Sequence, residues 1–207
     1  MLNRLTVAGI LIDPNERPPR EAPFRSAAEF FAINRYAVID DLIPAPQVRA
    51  LQRYYRTHVD QGFMKFGDGQ VPLRFAEYCE PVAVMVQNSF TDMMSKVAGI
   101  AVKPTYSYSA VYTEGALLEP HVDREDCEFS FSLQLDYSPA STTGISPWPL
   151  YISSAADTSS IDFLTDTAIY LPNGSCVAYK GRELIHYRTP LPAGHRSTSL
   201  FFHYIPV

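Results

Sequence analysis

The chain has 207 residues, a formal net charge of −5, and 46% hydrophobic against 19% charged residues. These are the values of a soluble globular protein, not of a disordered or membrane-embedded chain, and the length suits one domain with a substantial core. Neither the net charge nor any local cluster offers a basic surface, so no nucleic-acid or membrane partner is expected.

The opening MLNRLTVAGILIDP carries a short apolar run closed by Asp13-Pro14, with no small-residue cleavage site behind it, so no secretory signal is expected. Residues 1–25, rich in proline and charge, read as an irregular arm. SAAEFFAINR follows as a short helix capped by Ser26, and YAVIDDLI as a strand that stops at Pro44. PAPQVRALQRYYRTHV has helical spacing, as does CEPVAVMVQNSFTDMMSKVAGI. Beyond about residue 104 the pattern changes to short β-rich segments separated by Pro, Gly and Ser: TYSYSAVYT, EFSFSLQLDY, PLYIS, AIYLP, CVAYKG, IHYRTP and STSLFFHYIP. Helices first and strands second predict an α+β protein, mainly β, whose second half is a closed or double-sheeted structure. Cys79, Cys127 and Cys176 are odd in number and widely spaced, which predicts core thiols and a reducing, cytoplasmic setting.

Chemistry concentrates at EPHVDREDCE, residues 119–128. Side chains two apart on a strand share a face, so His121 and Asp123 project together. An imidazole and a carboxylate on one face make two thirds of a facial triad, the ligand set that leaves open positions on ferrous iron. A second histidine is needed from a neighbouring strand; of His58, His186, His195 and His203, His58 falls on a helix in the wrong half, and His186 lies in the β-rich stretch LIHYRTP. Arg196 follows it by ten residues and suits bidentate grip on a dicarboxylate, with Thr198 on the same face. The alternatives are a surface turn for His121 and Asp123, a backbone-satisfied core histidine for His186, and a solvated loop cation for Arg196.

The segments YTEGALLEPHVD (112–123), PNGSCVAYKG (172–181) and HYRTPLPAGHRST (186–198) together resemble the iron(II)/2-oxoglutarate-dependent dioxygenases, in particular their prolyl-4-hydroxylase-like branch. The lead-in RYAVIDDLIPAPQVRAL is also similar to that branch, and the likeness spans roughly residues 35–207. It implies a double-stranded β-helix (jelly-roll) core with N-terminal helices packed outside. One domain, 1–207, is expected, with the arm at 1–25, a helix-rich support at 26–100 and the jelly roll at 101–207. It implies iron held by His121, Asp123 and His186, and 2-oxoglutarate held by Arg196, with Tyr112 and Thr198 in the same pocket. Dioxygen would be the second cosubstrate and ascorbate a supporting reductant. Asp123 stands where halogenating relatives lack a carboxylate, which favours hydroxylation.

The expected substrate is a free amino acid or a small natural-product intermediate, hydroxylated at an unactivated C–H bond. A prolyl-type peptidyl substrate, or desaturation or cyclisation by the same oxidative chemistry, are alternatives. A metal-containing jelly roll that only binds a ligand is the alternative from another class. Arg124, Arg188, Tyr108 and Trp148 are candidate substrate residues, with Arg74 a further cation. Tyr106, Tyr108 and Tyr112 share a face and either line the cavity or pack the sheet. His195 and His203 read as structural or exposed. Segments 60–75 and 136–149 read as lids.

Overall fold

The computed structural model describes residues 22–162 and 164–207. In chain order the elements are α1 (Ala22–Asn34), β1 (Tyr36–Ile39), α2 (Ala45–Asp60), β2 (Lys65–Phe66), β3 (Arg74–Tyr78), α3 (Pro81–Ser89) and α4 (Thr91–Ala98). There follow β4 (Val102–Tyr112), β5 (Leu118–His121), β6 (Phe129–Ser138), β7 (Leu150–Ser153), β8 (Thr167–Ile169), β9 (Cys176–Tyr179), β10 (Ile185–Arg188) and β11 (Arg196–Pro206). Most of the expected arm, with the expectation about a signal segment, lies outside the described residues. Its last residues are helical, so α1 begins at Ala22 and Ser26 is inside the helix instead of capping it.

The strands form two antiparallel sheets facing one another. The larger runs β1-β9-β6-β11-β4-β3-β2 and the smaller β5-β10-β7-β8. This is the double-sheeted jelly roll expected. The helix-rich part also supplies β1 to one edge of the large sheet and β3 with β2 to the other, so sheet and support are not divided at residue 100.

The long strands of the large sheet have two buried faces of opposite character. On β6, Phe129, Phe131, Leu133 and Leu135 pack outward with Phe31, Leu51, Tyr55 and Met94 of the helices. Ser130, Ser132 and Gln134 alternate with them and face the small sheet. α2 meets this outer face through Val48, Leu51 and Tyr55, one helical stripe, with Pro46 in the first turn where its missing N–H is not needed. Burying a side chain such as Leu51 or Phe131 contributes about 1.5–3 kcal/mol. The single helix expected over 79–100 is two, broken at Phe90. Glu80, buried, caps α3 by accepting from the N–H groups of Val82 and Ala83, and it also accepts from the hydroxyls of Tyr54 and Tyr55. No helix among the described residues is long and apolar enough to cross a membrane.

Candidate metal centre and its cavity

β10 lies between β5 and β7, and His186 sits directly opposite His121. A cross-strand pair brings side chains within about 5 Å, and the two rings stand 4.3 Å apart. Asp123 follows the end of β5 instead of continuing it, as the expected alternation along one strand would have had it. Its N–H donates to Gly181 O at 2.8 Å, which turns the carboxylate back towards the histidines. Asp123 Oδ1 lies 3.8 Å from His121 Nε2 and 3.5 Å from His186 Nε2.

The tautomers follow from the other ring nitrogens. His121 Nδ1–H donates to Glu119 O at 2.7 Å, and His186 Nδ1–H donates to Leu184 O at 3.0 Å. Both Nε2 atoms therefore present lone pairs to Asp123 Oδ1. Two neutral imidazole nitrogens and a carboxylate oxygen, all within 4.8 Å of one another, form a donor set that a divalent cation satisfies. Burial, then the neighbouring His186, pushes the His121 pKa down, which favours the neutral form a metal binds. Burial alone would raise the Asp123 carboxyl, but the hydrogen bond and charge of His186, and the charges of His203 and His121, act on it whenever these imidazoles are protonated and hold it below its ordinary range.

The second oxygen of Asp123 is held from behind. Ser130 Oγ donates to Asp123 Oδ2 at 3.2 Å and lies 2.8 Å from His203 Nδ1, so the imidazole N–H donates to the serine. His203, expected to be structural or exposed, is buried and lines the cavity. Burial pushes its pKa down to about 4.

These groups open into a cavity of about 250 Å³ between the sheets. Tyr106, Tyr108 and Tyr112 all line it, as their shared face allowed. Leu118, Leu150, Tyr179 and Phe201 add apolar wall. The mouth is polar. Asp68 Oδ2 accepts from Arg74 Nε at 2.5 Å and from the Tyr108 hydroxyl at 2.6 Å, and Arg74 Nη1 donates to the Tyr112 hydroxyl at 3.1 Å. Burial would raise the Asp68 carboxyl, yet these donors bring it down to about 2. Gln70 is clamped by Arg74 Nη2 on its Oε1 at 3.2 Å, and its Nε2 lies 3.0 Å from His121 Nε2. Segment 60–75 thus covers the site, whereas segment 136–149 adds no residue to the cavity wall.

Two expected cosubstrate residues are elsewhere. Arg196 and Thr198 face the outer side of the large sheet, in a cleft with Tyr55, Arg56 and Asp136, and the exposed Arg196 guanidinium lies over the Phe75 ring at 5.8 Å. The reason is strand phase. Ser197 pairs with Tyr112, so Ser197, Ser199, Phe201 and His203 point inward and the even-numbered residues point out.

Of the four expected substrate residues, Tyr108 lines the cavity and Arg124 stands at its rim, 5.3 Å over the Tyr106 ring. Trp148 is a core anchor and does not stand at the rim. It is buried, 5.0 Å from the Tyr112 ring, and its Nε1–H donates to Thr189 O at 2.7 Å. Arg188 is buried deeper still, 1% exposed, with its guanidinium 4.5 Å from the Trp148 ring and Nη1 donating to Trp148 O at 2.8 Å. Burial pushes its pKa down, against the pull of Tyr112 and Tyr179. Asp68, Gln70, Ser130 and Gly181 were not singled out from the sequence, which reads His203 as structural or exposed.

No protein-family model matches the chain, and no curated protein sequence matches it. Solved structures do match it in three dimensions. A Pseudomonas putida prolyl-4-hydroxylase superposes with a TM-score of 0.69 at 15% identity, over 89% of this chain and 99% of that one. A prolyl hydroxylase from Trichoplax adhaerens, in complex with a hypoxia inducible factor oxygen degradation domain peptide fragment, gives 0.71 at 11% identity, over 94% and 96%. HygX from Streptomyces hygroscopicus, with nickel, 2-oxoglutarate and hygromycin B bound, gives 0.65 at 13% identity, over 88% and 87%. The chain has the fold of the 2-oxoglutarate–iron(II) oxygenases.

Proposed function

We propose that this protein is an iron(II)- and 2-oxoglutarate-dependent oxygenase acting on a small molecule. The observation that carries the reading is the convergence of His121 Nε2, His186 Nε2 and Asp123 Oδ1, with both histidine Nδ1–H groups committed to backbone carbonyls. That donor set fits ferrous iron, whose bound form would supply the oxidation of a C–H bond at the expense of dioxygen and 2-oxoglutarate. The chain's own part is positional. Ser130 and His203 orient Asp123, the backbone carbonyls of Glu119 and Leu184 fix the imidazoles, and Tyr108, Tyr112 and Phe201 keep bulk water from the metal side of the cavity.

A free amino acid or small natural-product intermediate suits a 250 Å³ cavity whose mouth offers Gln70, Arg74 and Arg124 to a polar substrate. HygX, with its bound hygromycin B, supports a small-molecule substrate for this fold. Hydroxylation is the reaction proposed. The test is succinate formation by the iron-loaded protein with 2-oxoglutarate, ascorbate and a panel of amino acids and natural products, comparing wild type with His121→Ala and Asp123→Ala. Turnover should depend on iron and vanish in both variants. Equal background in all three would leave a ligand-binding jelly roll without catalysis.

A further inference from the structure

We propose that Arg188, and not Arg196, grips the distal carboxylate of the dicarboxylate cosubstrate. This rests on the oxygenase reading above and assigns a group within it.

Arg188 is the anomalous cation of the structure. Arg74 meets Asp68, Arg56 meets Asp136 in a bidentate pair, and Arg196 is exposed. Arg188 is buried and has no ion pair among the described residues. Its one hydrogen bond goes to Trp148 O, and its Nε is buried without a partner. A guanidinium held in a low-dielectric interior with no anion is strongly disfavoured unless a ligand completes it. A planar fork with a free Nε–H matches a carboxylate in shape as well as charge.

Its position is the second argument. Arg188 lies two residues beyond His186 on β10, so it shares the inner face and sits roughly 6.6 Å further along the strand. Arg188 does not itself line the cavity of about 250 Å³: Leu118 is directly opposite it on β5, and Leu118, Tyr112 and Phe201 form the wall between it and the metal ligands. The order is therefore metal ligands, apolar wall, buried cation. A 2-oxo acid with two methylenes and a terminal carboxylate has the same order. On the facing large sheet, Ser132 and Ser199 share the inner phase of Ser130 and Phe201, and their buried hydroxyls also lack partners. Buried polar groups on the inner faces of both sheets thus lack partners.

The test uses the full chain loaded with Mn(II), titrated with 2-oxoglutarate and with 2-oxopentanoate, which lacks the distal carboxylate. Calorimetry reads affinity, and the fluorescence of Trp148, the only tryptophan in the chain, reads occupancy beside Arg188. Wild type should prefer 2-oxoglutarate by about 100-fold, the scale of a buried charged hydrogen-bond pair. Arg188→Met should erase that preference while leaving Mn(II) and 2-oxopentanoate affinities unchanged. Its ligand-free melting temperature should not fall, because a buried unpaired charge is replaced by an apolar side chain of similar length. Arg196→Met should keep the full preference. Retention of the preference in Arg188→Met, or its loss in Arg196→Met, overturns the assignment and leaves the oxygenase reading standing. Arg188→Gln replaces the Met variant should that one not fold, with the same two outcomes. A wild type that binds neither Mn(II) nor 2-oxoglutarate overturns the oxygenase reading itself, and the assignment with it.

Discussion

Alanine at Gly181 probes the metal centre without touching a ligand. Gly181 lies in the turn before β10, and its carbonyl accepts the Asp123 N–H. Its backbone is not in the left-handed region, so alanine meets no conformational penalty there. Space is the issue. A Cβ at this position would overlap Asp123 Oδ2 and stand 2.6 Å from Cys127 O and 3.0 Å from Ser130 Oγ. Cys127 is fully buried and its carbonyl is backbone, so relief there must come from the Gly181 turn itself, while the overlap at Asp123 is relieved by the carboxylate. Restoring van der Waals separation moves it by roughly 0.5–1 Å. Metal–ligand distances tolerate only about 0.2 Å. Mn(II) affinity should therefore fall about 10–100-fold, the usual effect of losing a group that orients a ligand, or about 1.4–2.7 kcal/mol. Overpacking should also lower global stability by about 1–3 kcal/mol. Calorimetric titration of Mn(II) into folded Gly181→Ala measures the first effect. Gly69→Ala is the control, because a Cβ there, also beside the cavity, meets nothing within 4 Å. Wild-type affinity in a folded Gly181→Ala protein would refute the reasoning.

Two further outcomes follow from the same geometry. The Gln70 amide donates to the His121 Nε2 lone pair that a metal needs, so Gln70→Ala should raise Mn(II) affinity by about 2–10-fold, the worth of one hydrogen bond; a weaker affinity would show that Gln70 helps to hold the metal instead. His203 is neutral when buried, with its pKa down at about 4 from an ordinary 6.5. Between those values the unfolded chain binds more protons, so metal-free stability is fully present above pH 6.5 and is lost as pH falls towards 4. His121, also pushed down, acts in the same direction. The His203 gap corresponds to about 3 kcal/mol at most. Urea unfolding of His203→Gln should accordingly show a flatter decline over this window than wild type, and an identical decline would place the acid sensitivity elsewhere.

The candidate metal ligands were legible in the sequence because ligand chemistry restricts residue types. His121, Asp123 and His186 are the right donors at a spacing that one strand pair satisfies, and the structure brings them together even though Asp123 lies beyond the strand and not on it. The tyrosines of β4 were legible too, because alternation alone puts Tyr106, Tyr108 and Tyr112 on one side. The overall class followed from helical periodicity giving way to short β segments. What stayed hidden were the groups that reach the site from far along the chain. Asp68 and Gln70 arrive through a turn, and Ser130 lies on the polar side of an alternating strand, which by itself reads as a solvent face.

That last case shows where sequence stops. The alternation of β6 was plain, but its apolar face meets the helices and its polar face looks into the jelly roll, the reverse of a sheet with one wet side. On β11 even the phase was unreadable. Leu200, Phe202 and Tyr204 are buried against the helices while Phe201 and His203 line the cavity, so composition does not separate the faces. One residue of phase carries Arg196 outside and leaves the interior to Arg188. By itself the chain determined which residues can bind a metal and that strands would carry them. Only the pairing of β11 with β4 and β6 decided that Arg196 lies outside the cavity, because strand phase is set by partners distant in sequence and not by the residues of the strand.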